Sequence, residues 1–158
     1  MSSTLTIQLP NNVNSEVYVY KDNELIVTMK RMFLLGSKIK AEIYQNDTLL
    51  VKCSSFLFTL KIKEQNLTNE IKIKSHNLFF SEFDMGDDNI VVKSNLLYFL
   101  NKKWATISLN SKNVAKVKLK KILDSKGITL ELNCFEDQHD KEFEILLSVL
   151  LTILHLNI

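Results

Sequence analysis

Lysine supplies the most organised chemistry in this chain. It recurs at every second position in four separate stretches, Lys38/Lys40, Lys61/Lys63, Lys72/Lys74 and Lys116/Lys118/Lys120, with Ile, Val or Leu between. In an extended chain, residues two apart share a face, so each stretch sets ammonium groups on one side and aliphatic groups on the other. A row of ammonium groups binds anions: near an anionic membrane each contributes on the order of 1 kcal/mol. The same lysines also solvate outward strand faces and guard sheet edges against pairing with other chains. Lys61, Lys63, Lys72 and Lys74 are the leading ligand-contacting set, because their two dilysine stretches are consecutive in the chain and are expected to pair. Neighbouring strands lie about 4.8 Å apart, which would gather the four ammonium groups into one patch for anionic headgroups.

The acidic, thiol and imidazole groups offer less. Asp84-Met85-Gly86-Asp87-Asp88-Asn89 is oxygen-rich enough for a hard cation such as calcium, but its spacing departs from the EF-hand loop and no closing glutamate follows. It reads as a hairpin turn. Asp137, His139 and Asp140 have the ligand types of a metal site, yet sequence neighbours rarely converge on one ion without distant partners. Together with Glu136, Glu142 and Glu144 they read as carboxylates at a helix start, where free N–H groups and the macrodipole favour negative charge. Cys53 and Cys134 lack CxxC or Cys/His ligand spacing and are expected to be buried free thiols. His76, His139 and His155 stand in separate contexts, and the GxSxG, GxGxxG and P-loop patterns are absent. No catalytic residue, metal or cofactor is assigned, and the chain reads as non-enzymatic.

These groups need elements to hold them. The 158 residues suit one domain, residues 1–158. A composition of 46% hydrophobic and 24% charged residues is that of a folded protein, and a net charge of +2 does not point to nucleic acid as a partner. The opening stretch, MSSTLTIQLP, lacks the basic and apolar regions of a secretory signal. Ser2 also stands where myristoylation requires glycine. With cysteines expected to be free, a cytoplasmic, reducing setting follows as an expectation.

Period-two alternation runs through Glu16–Tyr20, Leu25–Phe33, Lys38–Tyr44, Thr48–Lys52, Phe56–Lys63, Glu70–Lys74, Leu78–Phe83, Ile90–Lys93, Leu96–Leu100, Lys103–Leu109, Val114–Leu123 and Ile128–Phe135. About a dozen short strands at regular spacing predict a barrel or sandwich. With three glycines and one proline in the chain, the turns must rely on Asn and Asp, which tolerate left-handed backbone. The last stretch, Phe143–Ile158, is apolar on every helical face and must therefore be surrounded. Its 16 residues fall short of the roughly 20 that cross a bilayer, so a buried helix at about 141–157 is favoured over a membrane anchor. A closed β-barrel around a C-terminal hydrophobic helix satisfies both patterns.

The order VTMKRMFLLGSKIKAEIYQNDTLLVKC, then repeated strands, then the strand pair VAKVKLKKILDSKGITLELNC, then an acidic run and the aliphatic EFEILLSVLLTILHL resembles the LURP-one-related group of the tubby C-terminal-like superfamily. Phospholipid scramblases look related to the same superfamily. The resemblance covers Val17 to Leu156. It implies a twelve-stranded barrel closed around the final helix, and a non-enzymatic module that binds anionic phospholipid headgroups through basic residues on the barrel, peripheral to a membrane. Two departures stand out: this chain is poorer in glycine than the family's turns, and Leu154-His155-Leu156 stands where relatives often carry an acidic residue. A protein-interaction scaffold is the alternative function. A scramblase-like protein whose final helix enters the bilayer is a second alternative.

Overall fold

The computed structural model describes residues 3–10, 16–36, 38–56, 59–77, 79–94, 103–124, 127–135 and 141–154. Among these residues twelve strands precede one helix. They are β1 (Ser3–Leu9), β2 (Val17–Lys21), β3 (Glu24–Leu34), β4 (Lys38–Gln45), β5 (Thr48–Phe56), β6 (Thr59–Gln65), β7 (Ile71–His76), β8 (Phe80–Met85), β9 (Asp88–Ser94), β10 (Lys103–Leu109), β11 (Lys112–Asp124) and β12 (Gly127–Cys134), followed by α1 (Lys141–Leu154). The expected strands recur with three differences. Phe56, expected to open the strand Phe56–Lys63, instead ends β5, and β6 begins at Thr59. Ser3–Leu9, whose Leu5, Ile7 and Leu9 alternate with polar residues, is a strand absent from the expected series. The proposed strand Leu96–Leu100 lies outside the described residues.

All twelve strands form one antiparallel sheet in the order β6-β5-β4-β3-β2-β1-β12-β11-β10-β9-β8-β7. Every neighbour but one is also a sequence neighbour. The exception is β1 with β12, paired without a break from Ser3↔Cys134 to Leu9↔Ile128, which joins the first strand to the last. The sheet therefore ends at β6 and β7, consecutive in the chain, and the barrel is nearly closed with a seam between them. This corrects the expectation that the two dilysine strands pair. They face each other without a ladder, joined by the Gln65 side chain: its Nε2 donates to the Ile71 carbonyl at 2.9 Å, and the Ile71 N–H donates to its Oε1 at 2.7 Å. One amide side chain thus imitates a rung of strand pairing. Asn66 fixes the adjoining connection, its main-chain N–H donating to the Leu50 carbonyl and its Nδ2 to that of Leu49.

Asn and Asp carry the turns at one end of the barrel, here termed the mouth. Left-handed φ values occur at Asp22 and Asn23, Asn46 and Asp47, and Asn110 and Ser111, consistent with primed two-residue hairpins whose twist matches that of the strands they join. Gly86, at φ 56, serves the β8–β9 hairpin at the same end. The opposite end, the tip, carries the connections after β3, β5 and β7, with Gly36 at φ 79.

Twelve strands spaced about 4.8 Å and tilted about 40° close at a radius of about 12 Å, wide enough to hold a helix and one lining layer of side chains. α1 fills that space. Its 14 residues span about 21 Å, close to the length of a seven-residue strand. Glu144 sits beside Lys21 at the mouth, and the chain then runs inward. Leu147, Ser148, Val149, Leu150, Leu151, Thr152 and Ile153 are all buried. Seven consecutive helical residues cover every face, so the helix is surrounded on all sides by inward residues such as Ile7, Val19, Met29, Ile43, Val51, Phe83, Ile107, Val117 and Leu132. Its two buried hydroxyls bond their own helix, Ser148 to the Glu144 carbonyl and Thr152 to that of Val149, so neither needs a partner from the barrel wall. No helix among the described residues is long and apolar enough to cross a membrane. His155 and the residues after it lie outside the described residues.

Candidate functional site

Lys61, Lys63, Lys72 and Lys74 are all exposed on the outer face, on the two strands that flank the seam. Their surroundings divide them into two pairs. On β7, Lys74 lies 3.6 Å from Glu82 of β8, and Lys72 stands in register with Asp84 of the same strand. Carboxylates therefore partly cancel the charge of that pair. On β6, Lys61 is in register with Ser54 of β5, which is in turn in register with Lys40 of β4. Lys63 sits at an irregularity between the Cys53↔Ile62 and Lys52↔Glu64 pairs. The like charges of Lys38 and Lys40, followed by partial desolvation and Lys61, pull the Lys63 ammonium below the ordinary lysine range. None of Lys38, Lys40, Lys61 and Lys63 forms an ion pair among the described residues. The concentrated cationic surface is thus a β4–β6 patch that keeps half of the expected set and adds Lys38 and Lys40. Sequence spacing had marked Lys38/Lys40 as one stripe among four, and only the barrel shows that a single intervening strand brings it to Lys61/Lys63.

β5 permits this closeness because its outward residue between the two stripes is the small, buried Ser54. Further toward the mouth the same three strands alternate in sign. Lys52 pairs with Glu64 at 3.6 Å and is in register with Glu42, which accepts a hydrogen bond from the Tyr44 hydroxyl. The cationic patch therefore lies toward the tip, with mixed charge behind it.

The mouth has different chemistry. Lys21 Nζ donates to Glu144 Oε2 at 2.6 Å, the carboxylate almost fully buried and the ammonium about a third exposed. The Glu144 hydrogen bond raises the Lys21 pKa against the opposing effect of burial. Glu142 and Glu144 occupy the first turn of α1, as expected for carboxylates at a helix start. A cavity of about 240 Å³ adjoins the ion pair, lined by Lys21, Asp22, Glu24, Ile26, Glu144 and Ile145. A second of about 360 Å³ lies where the β6–β7 connection meets the start of the helix, between Leu67 and Phe143. The Lys21–Glu144 pair forms part of the wall of the first, and the described residues lining either cavity hold no cluster of convergent catalytic groups.

The acidic turn at Asp84–Asn89 is a hairpin. Asn89 Nδ2 donates to Asp84 Oδ1 and to Glu82 Oε1, each at 2.9 Å, and Asn110 Nδ2 donates to Asp88 Oδ1 at 2.9 Å. Its carboxylates stitch β8, β9 and the β10–β11 turn together. Among the described residues, no group of three or more His, Cys, Asp or Glu is arranged to hold a metal ion. Asp137, His139 and Asp140 lie outside the described residues. Cys53 and Cys134 are both free and buried, and burial pushes the Cys53 thiol up to about 12. His76 bonds Ser81 through Nδ1 at 2.8 Å, and burial lowers its pKa. No family model, curated protein or solved structure matches the chain.

Proposed function

We propose that this barrel is a non-enzymatic binding module for anionic phospholipid headgroups, of the tubby-like kind that the order of its elements resembles, working in the cytoplasm at the periphery of a membrane. The observation that carries the reading is the crowding of Lys38, Lys40, Lys61 and Lys63, strong enough to depress the Lys63 pKa and without a carboxylate partner among the described residues. Ammonium groups held together against their own repulsion gain from any polyanion that neutralises them, and at a charged bilayer each adds on the order of 1 kcal/mol. Binding of this kind weakens as added salt shortens the Debye length, about 10 Å at 0.1 M.

Co-sedimentation with phosphatidylcholine vesicles, with and without phosphatidylserine or phosphoinositide, at low and raised salt tests the reading. Binding confined to the anionic vesicles and released by salt supports it. A folded protein that ignores every vesicle would favour the alternative, a scaffold whose barrel surface docks a protein.

A further inference from the structure

Exposed large hydrophobic residues are concentrated at one end of the barrel. Of the seven described, Leu25 and Phe135 lie near the mouth, while Met32, Phe33, Leu35, Phe56 and Phe79 lie at the tip. Three successive tip connections supply those five: the end of β3 and its turn (Met32, Phe33, Leu35), the end of β5 (Phe56), and the turn between β7 and β8 (Phe79). Leu35 is fully exposed, and Met32 is 59% exposed. Scattered apolar residues are ordinary on a surface, but several gathered at the ends of adjacent hairpins mark a contact surface. Hydrogen bonds fix the β7–β8 connection: Asn77 Oδ1 accepts from the N–H groups of Phe79 and Phe80, and the Ser94 N–H donates to the Phe79 carbonyl.

The cationic patch starts level with this apolar end and extends behind it. Lys38 is in register with both Leu34 and Phe56, and Lys40 with Met32 and Ser54. Lys61 follows Thr59, the register partner of Phe56, by two residues. Lys38 stands level with Phe56, and at about 3.3 Å per residue Lys40, level with Met32, and Lys61 lie about 7 Å further along their strands from that level. A lysine stem can extend along apolar surface while its ammonium reaches polar surroundings. An apolar fringe backed by ammonium groups fits an interfacial element of an anionic membrane, whose apolar face is buried about 5–10 Å into the headgroup/acyl boundary with its basic groups toward the headgroups.

We propose that the tip inserts into the interface of an anionic bilayer, with Leu35, Phe33 and Phe56 entering the acyl boundary while Lys38, Lys40, Lys61 and Lys63 engage phosphates. This rests on the headgroup reading and adds orientation to it: the barrel stands tip-down, with the mouth and its Lys21–Glu144 pair turned to solvent. Electrostatics brings the barrel to the surface, and apolar insertion holds it there.

The native thiols are buried, so a single introduced cysteine takes an environment-sensitive nitrobenzoxadiazole label selectively. The test uses Leu35→Cys at the tip and Asp47→Cys at the mouth in the full chain, mixed with phosphatidylcholine/phosphatidylserine vesicles with and without brominated acyl chains. The tip probe should brighten, shift to the blue and be quenched by the brominated chains, while the mouth probe stays unchanged. In parallel, Phe33→Ser/Leu35→Ser/Phe56→Ser should weaken vesicle binding by roughly tenfold or more at unchanged salt dependence. If vesicles bind, and salt releases them, but the Leu35 probe remains in water and the triple serine variant binds as before, tip insertion fails and headgroup binding stands. If neither vesicle type binds the folded protein, both readings fail.

Discussion

Single residues in this barrel report its two environments, the dry interior and the charged outer wall. Cys53 and Cys134 are buried, and with its thiol raised to about 12 Cys53 has almost no thiolate at neutral pH. Both should label only on unfolding, and rapid modification of the native protein by a thiol reagent would contradict the burial. His76 carries a linked prediction. Its folded pKa lies below the ordinary value because burial disfavours the cation, so the unfolded state takes up the proton first. Its contribution to stability is present above about pH 6.5 and is lost as pH falls through the lower folded pKa. Melting temperature should drop on acidification through that range, and His76→Asn should flatten part of the drop; an unchanged profile would count against it. Lys21 and Glu144 are coupled across the mouth. Lys21→Met leaves a carboxylate buried without its ammonium and should cost on the order of 2 kcal/mol, with part recovered in Lys21→Met/Glu144→Leu. Purely additive losses in denaturant unfolding would mean the pair is not coupled.

At the scale of elements, the helix and the seam are the two parts that a sheet alone does not explain. α1 was legible in the sequence because Leu147 to Ile153 leave no polar face, and a helix of that kind must be enclosed. The strands were legible where lysine alternates with aliphatics, as in Lys38–Lys40 and Lys61–Lys63. β1 was missed because Ser3–Leu9 was read for targeting signals and not for its Leu5/Ile7/Leu9 alternation. Strand order was illegible for a different reason: alternation fixes which face a residue takes but not which strand lies beside it. Proximity in the chain suggested that β6 pairs with β7, whereas β12 closes on β1 and leaves that neighbour pair as the seam. The candidate patch shifted accordingly, keeping Lys61 and Lys63, leaving Lys72 and Lys74 beside Asp84 and Glu82, and gaining Lys38 and Lys40. The seam depends on Gln65. Gln65→Ala should remove about 1 kcal/mol and speed hydrogen exchange at the Ile71 amide well above that of amides in the β1–β12 ladder. Equal protection in variant and wild type would show that the side chain does not hold the seam.

At the scale of the whole molecule, barrel and helix stabilise each other, and the outer wall is free to specialise. Each large apolar side chain of α1 contributes on the order of 2 kcal/mol when buried, and four of them rival the whole stability of a typical domain, about 5–15 kcal/mol. A chain ending before Lys141 should therefore fail to melt cooperatively. With the helix enclosed, the surfaces that remain to meet a partner are the outer wall and the two ends, and charge is distributed unevenly along the wall. The proposed anion binding lies on the β4–β6 patch and not on β7, although both carry a dilysine stripe. The most direct test compares Lys38/Lys40→Glu with Lys72/Lys74→Glu in binding to phosphatidylcholine/phosphatidylserine vesicles, after circular dichroism shows both variants folded. Each changes the net charge equally, so any difference reports position. The Lys38/Lys40 variant should lose binding and its salt dependence, while the Lys72/Lys74 variant retains most of both; equal losses, or a greater loss from Lys72/Lys74, would contradict the proposed placement.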